Sequence, residues 1–236
     1  MIQCFNLTKE YTKGDQVIRP LDDLNLEVPS GMFLSLMGPS GSGKTTLLNL
    51  IAGIDQPTSG TLLIDGQDIT HLSRNKLAAW RSQFIGYVFQ MYNLVPVLTA
   101  YENVELPLLL QVITRKQRHE RVATALDLVG IADRHNHYPR QLSGGQEQRV
   151  AIARAIVTDP KIIVADEPTG DLDKASAGSI MQLLQQLNRE LHKTLIMVTH
   201  DPATADCADQ ILYLDKGRLV KSSDTGTTMV HKHGEQ

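Results

Sequence analysis

"FLSLMGPSGSGKTTLLNLIAGI", residues 33–54, decides the fold. Its first five residues, "FLSLM", form a short apolar run too brief for a helix, so they read as a buried strand. "TTLLNLIAGI" reads as a helix that closes near Gly53. Between them, Gly38, Gly43, Lys44 and Thr45 fit the pattern G-x-x-x-x-G-K-[ST]. Strand, glycine loop and helix in that order make a phosphate cradle. Gly41 and Gly43 let the backbone curl until its N–H groups point inward, with Ser40, Ser42 and Thr46 in the same curl. The helix N-terminus adds partial positive charge. Lys44 is placed to reach β- and γ-phosphates, and the Thr45 hydroxyl to ligate magnesium.

Reading outward from this loop, residues 1–30 alternate loosely ("IQCFNL", "LDDLNLEV") and predict strands of an antiparallel sheet. "TLLIDGQDI", residues 61–69, has an Asp-Gly pair between apolar runs, which signals a hairpin. Residues from about 91 to 160 change character. "RKQRHERVATALDLVG" places Val122, Leu126 and Val129 on one helical face with Gly130 as a stop, so this region predicts a mostly helical lobe. Leu106, Leu108 and Leu109 are expected in its core. Beyond it come an apolar strand, "KIIVADEP", a helix with Ile180, Leu183, Leu184, Leu187 and Leu191 on one face, and the strands "TLIMVTH" and "QILYLDKG". Buried strands alternating with an amphipathic helix predict a parallel sheet with crossovers. The expected organisation is one domain over 1–221 and a polar, loose tail over 222–236.

The chain has 236 residues and a formal charge of -3, so nothing in the charge balance points to nucleic acid. Two cysteines, Cys4 and Cys207, make no disulfide framework and fit a reducing compartment. The N-terminus lacks a basic region followed by an apolar stretch. The longest apolar runs contain Glu and Pro and fall short of the ~20 residues a spanning helix needs. Membrane work would therefore need a separate membrane chain.

Two further segments carry chemistry. "IIVADE" is an apolar strand ending in Asp166, suited to hold magnesium, with Glu167 placed to polarise a water lined up on a γ-phosphate. A GTPase would want Asn-Lys-x-Asp; "NKLA" at residues 75–78 lacks the Asp. "LSGGQEQRVAIARA", residues 142–155, is a second Gly- and Ser-containing loop ahead of a helix. It is either a structural turn or the holder of another side of a nucleotide.

The motif order resembles the ATP-binding subunits of ATP-binding cassette (ABC) transporters over almost the whole chain, from about residue 2 to 220. "LSGGQ" matches that family's signature, Gln90 in "YVFQ" its Q-loop, "GDLD" at 170–173 its D-loop and His200 in "VTHD" its switch histidine. Tyr11 falls where the family stacks an aromatic on adenine. The resemblance implies a P-loop NTPase core with a mainly parallel sheet, an antiparallel β lobe and an inserted helical lobe. It implies ATP and Mg2+ as ligands, with Thr45, Gln90 and Asp166 at the metal. Glu167, His200 and Gln90 take the catalytic roles. It also implies a head-to-tail pair of copies, in which Ser143, Gly144, Gly145 and Gln146 of one close on ATP held by the other, with Asp173 nearby. The implied membrane partner is a permease that docks a short cytoplasmic helix beside Tyr92 and Leu94, with a periplasmic adaptor as a further candidate. The implied location is the cytoplasmic face of the inner membrane.

Within the family, "FQMYNLVPVLTAYENVELPLLL" and "DEPTGDLD" resemble the branch of the lipoprotein-release (LolD), macrolide-export (MacB) and cell-division (FtsE) ATPases. Met91-Tyr92 and Glu147 depart from the Ser-Phe and Gln common there. A regulatory ATPase of the FtsE kind is the rival reading. A soluble ATPase acting on ribosomes or DNA fits less well, because the chain has one cassette and no heptad run.

Overall fold

The computed structural model describes residues 1–220; the tail expected at 222–236 lies outside them. The chain forms two compact units: residues 1–81 with the segment from Thr194 onward, and Ser82–Lys193.

The first unit begins with β1 (Ile2–Lys13) and β2 (Gln16–Val28), followed by β3 (Phe33–Met37), α1 (Lys44–Ile51), β4 (Ser59–Ile64), β5 (Gln67–Asp68) and α2 (Arg74–Phe84), which leads out of it. β2, β1, β4 and β5 form an antiparallel sheet in that order. The expected hairpin is its β4–β5 corner. Asp65 and Gly66 both have positive φ, 53° and 76°, the pair of left-handed residues that matches strand twist in a two-residue turn.

The second unit holds β6 (Ile85–Val88), α3 (Ala100–Glu105), α4 (Arg115–Leu128), α5 (Gly144–Ile156), β7 (Ile162–Asp166) and α6 (Lys174–Leu191). β6 and β7 are parallel. α5 is the central helix: Val150, Ala151, Ile152, Ala153, Ala155 and Ile156 are all buried, against β6, α3, α4 and α6. Val122, Leu126 and Val129 are buried as the periodicity requires, and Gly130 closes the turn at φ 68°. Two expectations fail. Of the three leucines assigned to the core, Leu108 is fully buried but Leu109 is exposed and Leu106 half-buried. They lie in a 3-10 turn (Leu106–Leu110), whose three-residue period leaves one position in three facing inward. Leu191 is exposed because it is the last residue of α6, and His192 turns the chain away in a left-handed conformation.

The chain returns to the first unit with β8 (Thr194–Val198), α7 (Pro202–Ala205), β9 (Gln210–Asp215) and β10 (Arg218–Val220). β3 lies between β8 and β9, parallel to both, and every residue of β3 is buried. That explains an apolar run without alternation. No helix among the described residues is long and apolar enough to cross a membrane.

Candidate active site

In the first unit the phosphate loop leaves the end of β3 and enters α1. Gly43 is the N-cap of α1 at φ 105°, and a Cβ there would stand 2.1 Å from the Pro20 carbonyl oxygen. At Gly38, φ 142°, a Cβ would meet the Leu214 carbonyl oxygen at 2.0 Å. Both glycines are required by conformation and by space. The loop is fixed from below: the buried Ser42 donates its N–H to Pro39, and its carbonyl accepts from Gly217 N–H. Lys44 Nζ lies across the mouth, donating to the carbonyls of Gly38 (2.8 Å) and Pro39 (2.9 Å). Ser40, Gly41 and Thr45 are exposed, the last in the first turn of α1.

Two expected residues gather at this loop. The β3–β8 register pairs Leu36 with Val198, so the exposed His200 leaves β8 at the same end as Gly38 leaves β3. Asp201 next to it caps α7, accepting from Ala203 N–H and Thr204 N–H. Tyr11 hydrogen-bonds with Thr46 of α1 and donates its hydroxyl to Asp55 at 2.7 Å. Burial, then the Asp55 bond, pushes its phenol up to about 12. Lys9 Nζ sits 4.8 Å from the ring centroid and donates to Asp55 at 2.7 Å. The ring is thus held at its tip and beneath, as a stacking platform needs to be.

In the second unit, Val88 of β6 pairs with Ala165 of β7. Gln90 and Glu167 therefore leave parallel strands side by side, with Asp166 closing β7. A Cβ on Gly170 would lie 3.3 Å from Gln90 Nε2 and 3.6 Å from Glu167 Cβ, so these three positions form one corner. Glu167 has φ 49°, a left-handed conformation rarely found outside glycine, and Gly170 N–H closes the turn on its carbonyl.

The second glycine loop is the N-terminus of α5. Ser143 is the N-cap: its hydroxyl accepts from Gln146 N–H, and Gln146 Oε1 accepts from Ser143 N–H at 2.9 Å. This reciprocal box leaves the Gly144 and Gly145 N–H groups, the first two of the helix, without an intrahelical acceptor. The glycines are also demanded by packing. A Cβ on Gly144 would come within 3.0 Å of the Tyr92 hydroxyl, and one on Gly145 within 3.1 Å of Ser176 Oγ. Asp173 is the N-cap of α6, with both carboxylate oxygens engaged by Ala175, Ser176 and the Ser176 hydroxyl. The Ser176 hydroxyl, first among these, holds its pKa below the usual range.

The ABC transporter family model matches residues 21–170, well over half the chain. The chain belongs to the ABC transporter family. This cassette is 48% identical to the uncharacterized ABC transporter ATP-binding protein YknY of Bacillus subtilis, over 94% of this chain and 96% of that one. It is 44% identical to the lipoprotein-releasing system ATP-binding protein LolD of Chromohalobacter salexigens, over 93% and 92% of the two chains. Among solved structures, the cassette MJ0796 of Methanocaldococcus jannaschii, a dimer in a post-hydrolysis state bound to ADP and Pi, superposes with a TM-score of 0.86. That match is at 44% identity and covers 94% of this chain and 97% of that one.

The cassette is an ATPase, and its branch includes the LolD- and MacB-type proteins, as the motifs imply. Three residues escaped the motif reading. Asp55 and Lys9 hold Tyr11 from outside any pattern. Gln148 in α5 is fully buried and donates to the Pro168 carbonyl at 2.6 Å, one residue past Glu167. Only its position opposite the loop reveals it, since glutamine on a helix ordinarily signals surface. Tyr92 is half-buried, and its hydroxyl packs at Gly144. The exposed large apolar residues of this stretch are Met91, Val95 and Val97.

Proposed function

We propose that this ATPase dimerises head to tail around two ATP molecules and drives a separate membrane permease, in export, lipoprotein release or mechanotransmission. The observation that carries the reading is the signature loop. Its capping box satisfies Ser143 and Gln146 internally while the Gly144 and Gly145 N–H groups, at the positive end of a 13-residue helix, are free to meet an anion. The Ser143 oxygen accepts, which leaves its proton to donate. A γ-phosphate held by the Lys44 loop of a second copy is the anion this arrangement suits. That the similar cassette MJ0796 forms a dimer bound to ADP and Pi supports a second copy as the partner.

In the first unit, the Gly38–Thr46 loop and Lys44 take the phosphates, Tyr11 the adenine and His200 the γ-phosphate. In the second unit, Glu167 is the group to polarise the attacking water, with Gln90 beside it. For Mg2+, the Thr45 hydroxyl in the first unit and the Gln90 amide and Asp166 carboxylate in the second are oxygen donors of the hard kind the ion takes, few enough to suit an ion that keeps waters and phosphate oxygens. Bound there, it would neutralise charge on the β- and γ-oxygens. For the permease, Tyr92 and Leu94, both partly exposed, with the exposed Met91 of the same turn, offer anchors to a short cytoplasmic helix. Such a cassette works peripherally, at the cytoplasmic face of the membrane.

Glu167→Gln tests this directly. Glutamine keeps shape and hydrogen bonding but is a far weaker base, so ATP binding should persist while turnover falls at least ~100-fold. With ATP the variant should elute as a dimer. Turnover at the wild-type rate would remove Glu167 from its role, and a monomer at every ATP concentration would remove the shared site.

A further inference from the structure

The turn after Gln90 is built in an uncommon way. Tyr92 and Asn93 are consecutive non-glycine residues at φ 45° and 50°. Asn93 N–H bonds back to the Met91 carbonyl. The carbonyls of both residues face the same guanidinium, so the turn presents a paired acceptor. Arg154, in the last turn of α5, fills it. One terminal nitrogen donates to Tyr92 O at 2.6 Å and the other to Asn93 O at 2.6 Å. These bonds span 62 and 61 residues of sequence.

No carboxylate among the described residues pairs with Arg154, and burial lowers its pKa from the usual arginine value. A guanidinium half-withdrawn from water and given only carbonyls is not an ordinary surface charge. The planar fork matches two parallel acceptors, which a lysine ammonium cannot do. The opposite end of Tyr92 meets the opposite end of the same helix: its hydroxyl packs at Gly144, in the first turn. Between those grips Gln148 and Val150–Ala153 of α5 are buried, so the helix is packed along the span that joins them.

We infer that Arg154 is a positioning residue that fastens the turn after Gln90 to the signature helix, so that Gln90 and Ser143 move as one body. The inference rests on the reading of Gln90 and Ser143 as groups that meet γ-phosphate from two directions. Its consequence is specific. Displacement of Gln90 on ATP binding or hydrolysis carries the Ser143 loop with it, and so does a push on the exposed Met91 of the same turn.

Arg154→Lys, which keeps the charge and loses the fork, is the test, with Arg154→Gln as a second variant should the first not fold. Amide exchange of residues 92–95 in the nucleotide-free chain should accelerate ten-fold or more, while the α5 core amides 150–153 exchange as in wild type. ATP affinity of the monomer should change less than about three-fold, but kcat should fall at least ten-fold. In the Glu167→Gln background the ATP-driven dimer should need at least ten-fold more protein. A merely structural arginine would speed exchange throughout the unit and leave the split between kcat and KM unmoved; that result, or unchanged exchange at 92–95, overturns the clamp. The exchange is read without nucleotide, so it judges the clamp separately from the function, which would fall instead if the wild-type chain turned over no ATP.

Discussion

At the residue scale, Asp55 is one carboxylate that gathers Lys9, Tyr11 and the Gln56 N–H. Its burial opposes ionisation, but bonds from Lys9, Tyr11 and the Gln56 N–H outweigh this and its pKa is lowered. A depressed carboxylate contributes stability that is fully present above its unfolded pKa of about 3.9 and is lost as pH falls through the lower folded value. Asp55→Asn should therefore lower Tm by roughly 2–6 °C at pH 7. The gap between variant and wild type should close as pH drops below about 4. Thermal unfolding from pH 7 to pH 2.5 reads this, and a gap that widened with acid would refute the assignment. Because Tyr11 loses its acceptor geometry, ATP affinity should weaken in the same variant at pH 7.

At the element scale, two glycines in the same unit should respond with opposite signs. Gly86 lies in β6 where α5 crosses it, and a Cβ there would stand 2.3 Å from the Ala155 carbonyl oxygen and 3.1 Å from Pro160 Cγ. Backbone cannot step aside as a side chain can. Gly86→Ala should cost about 2–3 kcal/mol, a fall in Tm of roughly 4–12 °C for a chain of this size. Gly178 sits exposed in α6 with nothing within 4 Å of the added carbon. Gly178→Ala should stabilise by about 0.5–1 kcal/mol through helix propensity and reduced unfolded-state freedom. Equal effects from the two substitutions would show that α5 and β6 are not in close backbone contact.

At the scale of the whole molecule, the proposed head-to-tail sharing would have a consequence that no single chain displays. Lys44→Ala and Ser143→Ala should each reduce homodimer turnover at least ~100-fold, because every site carries the lesion. Mixed one to one, half the dimers are heterodimers in which one site carries both lesions and the other none. The mixture should recover about a quarter of wild-type turnover, since half the dimers each have one intact site. ATPase assays across a titration of one variant into the other measure it. A flat line at the level of the separate variants would place both residues at the same site within one chain.

The phosphate loop was legible from residues 33–54 alone, because strand, glycine spacing and helix are local and each forces the next. The Asp65-Gly66 turn, the stop at Gly130 and the carboxylates at the end of β7 were legible for the same reason: backbone conformation and strand ends are written in neighbouring residues. The face of α4 was legible from its period. The 3-10 turn at Leu106–Leu110 was not, since a run of leucines carries no period of its own, and tertiary packing chose Leu108 over Leu109. Nor could the sequence show that Gln90 stands beside Glu167, because parallel register between β6 and β7 is fixed by the core across 77 residues of chain. Arg154 lay within a quoted motif and still had no visible role. Its partners are carbonyl oxygens, which every residue carries, and only the folded chain decides which of them turn toward a guanidinium.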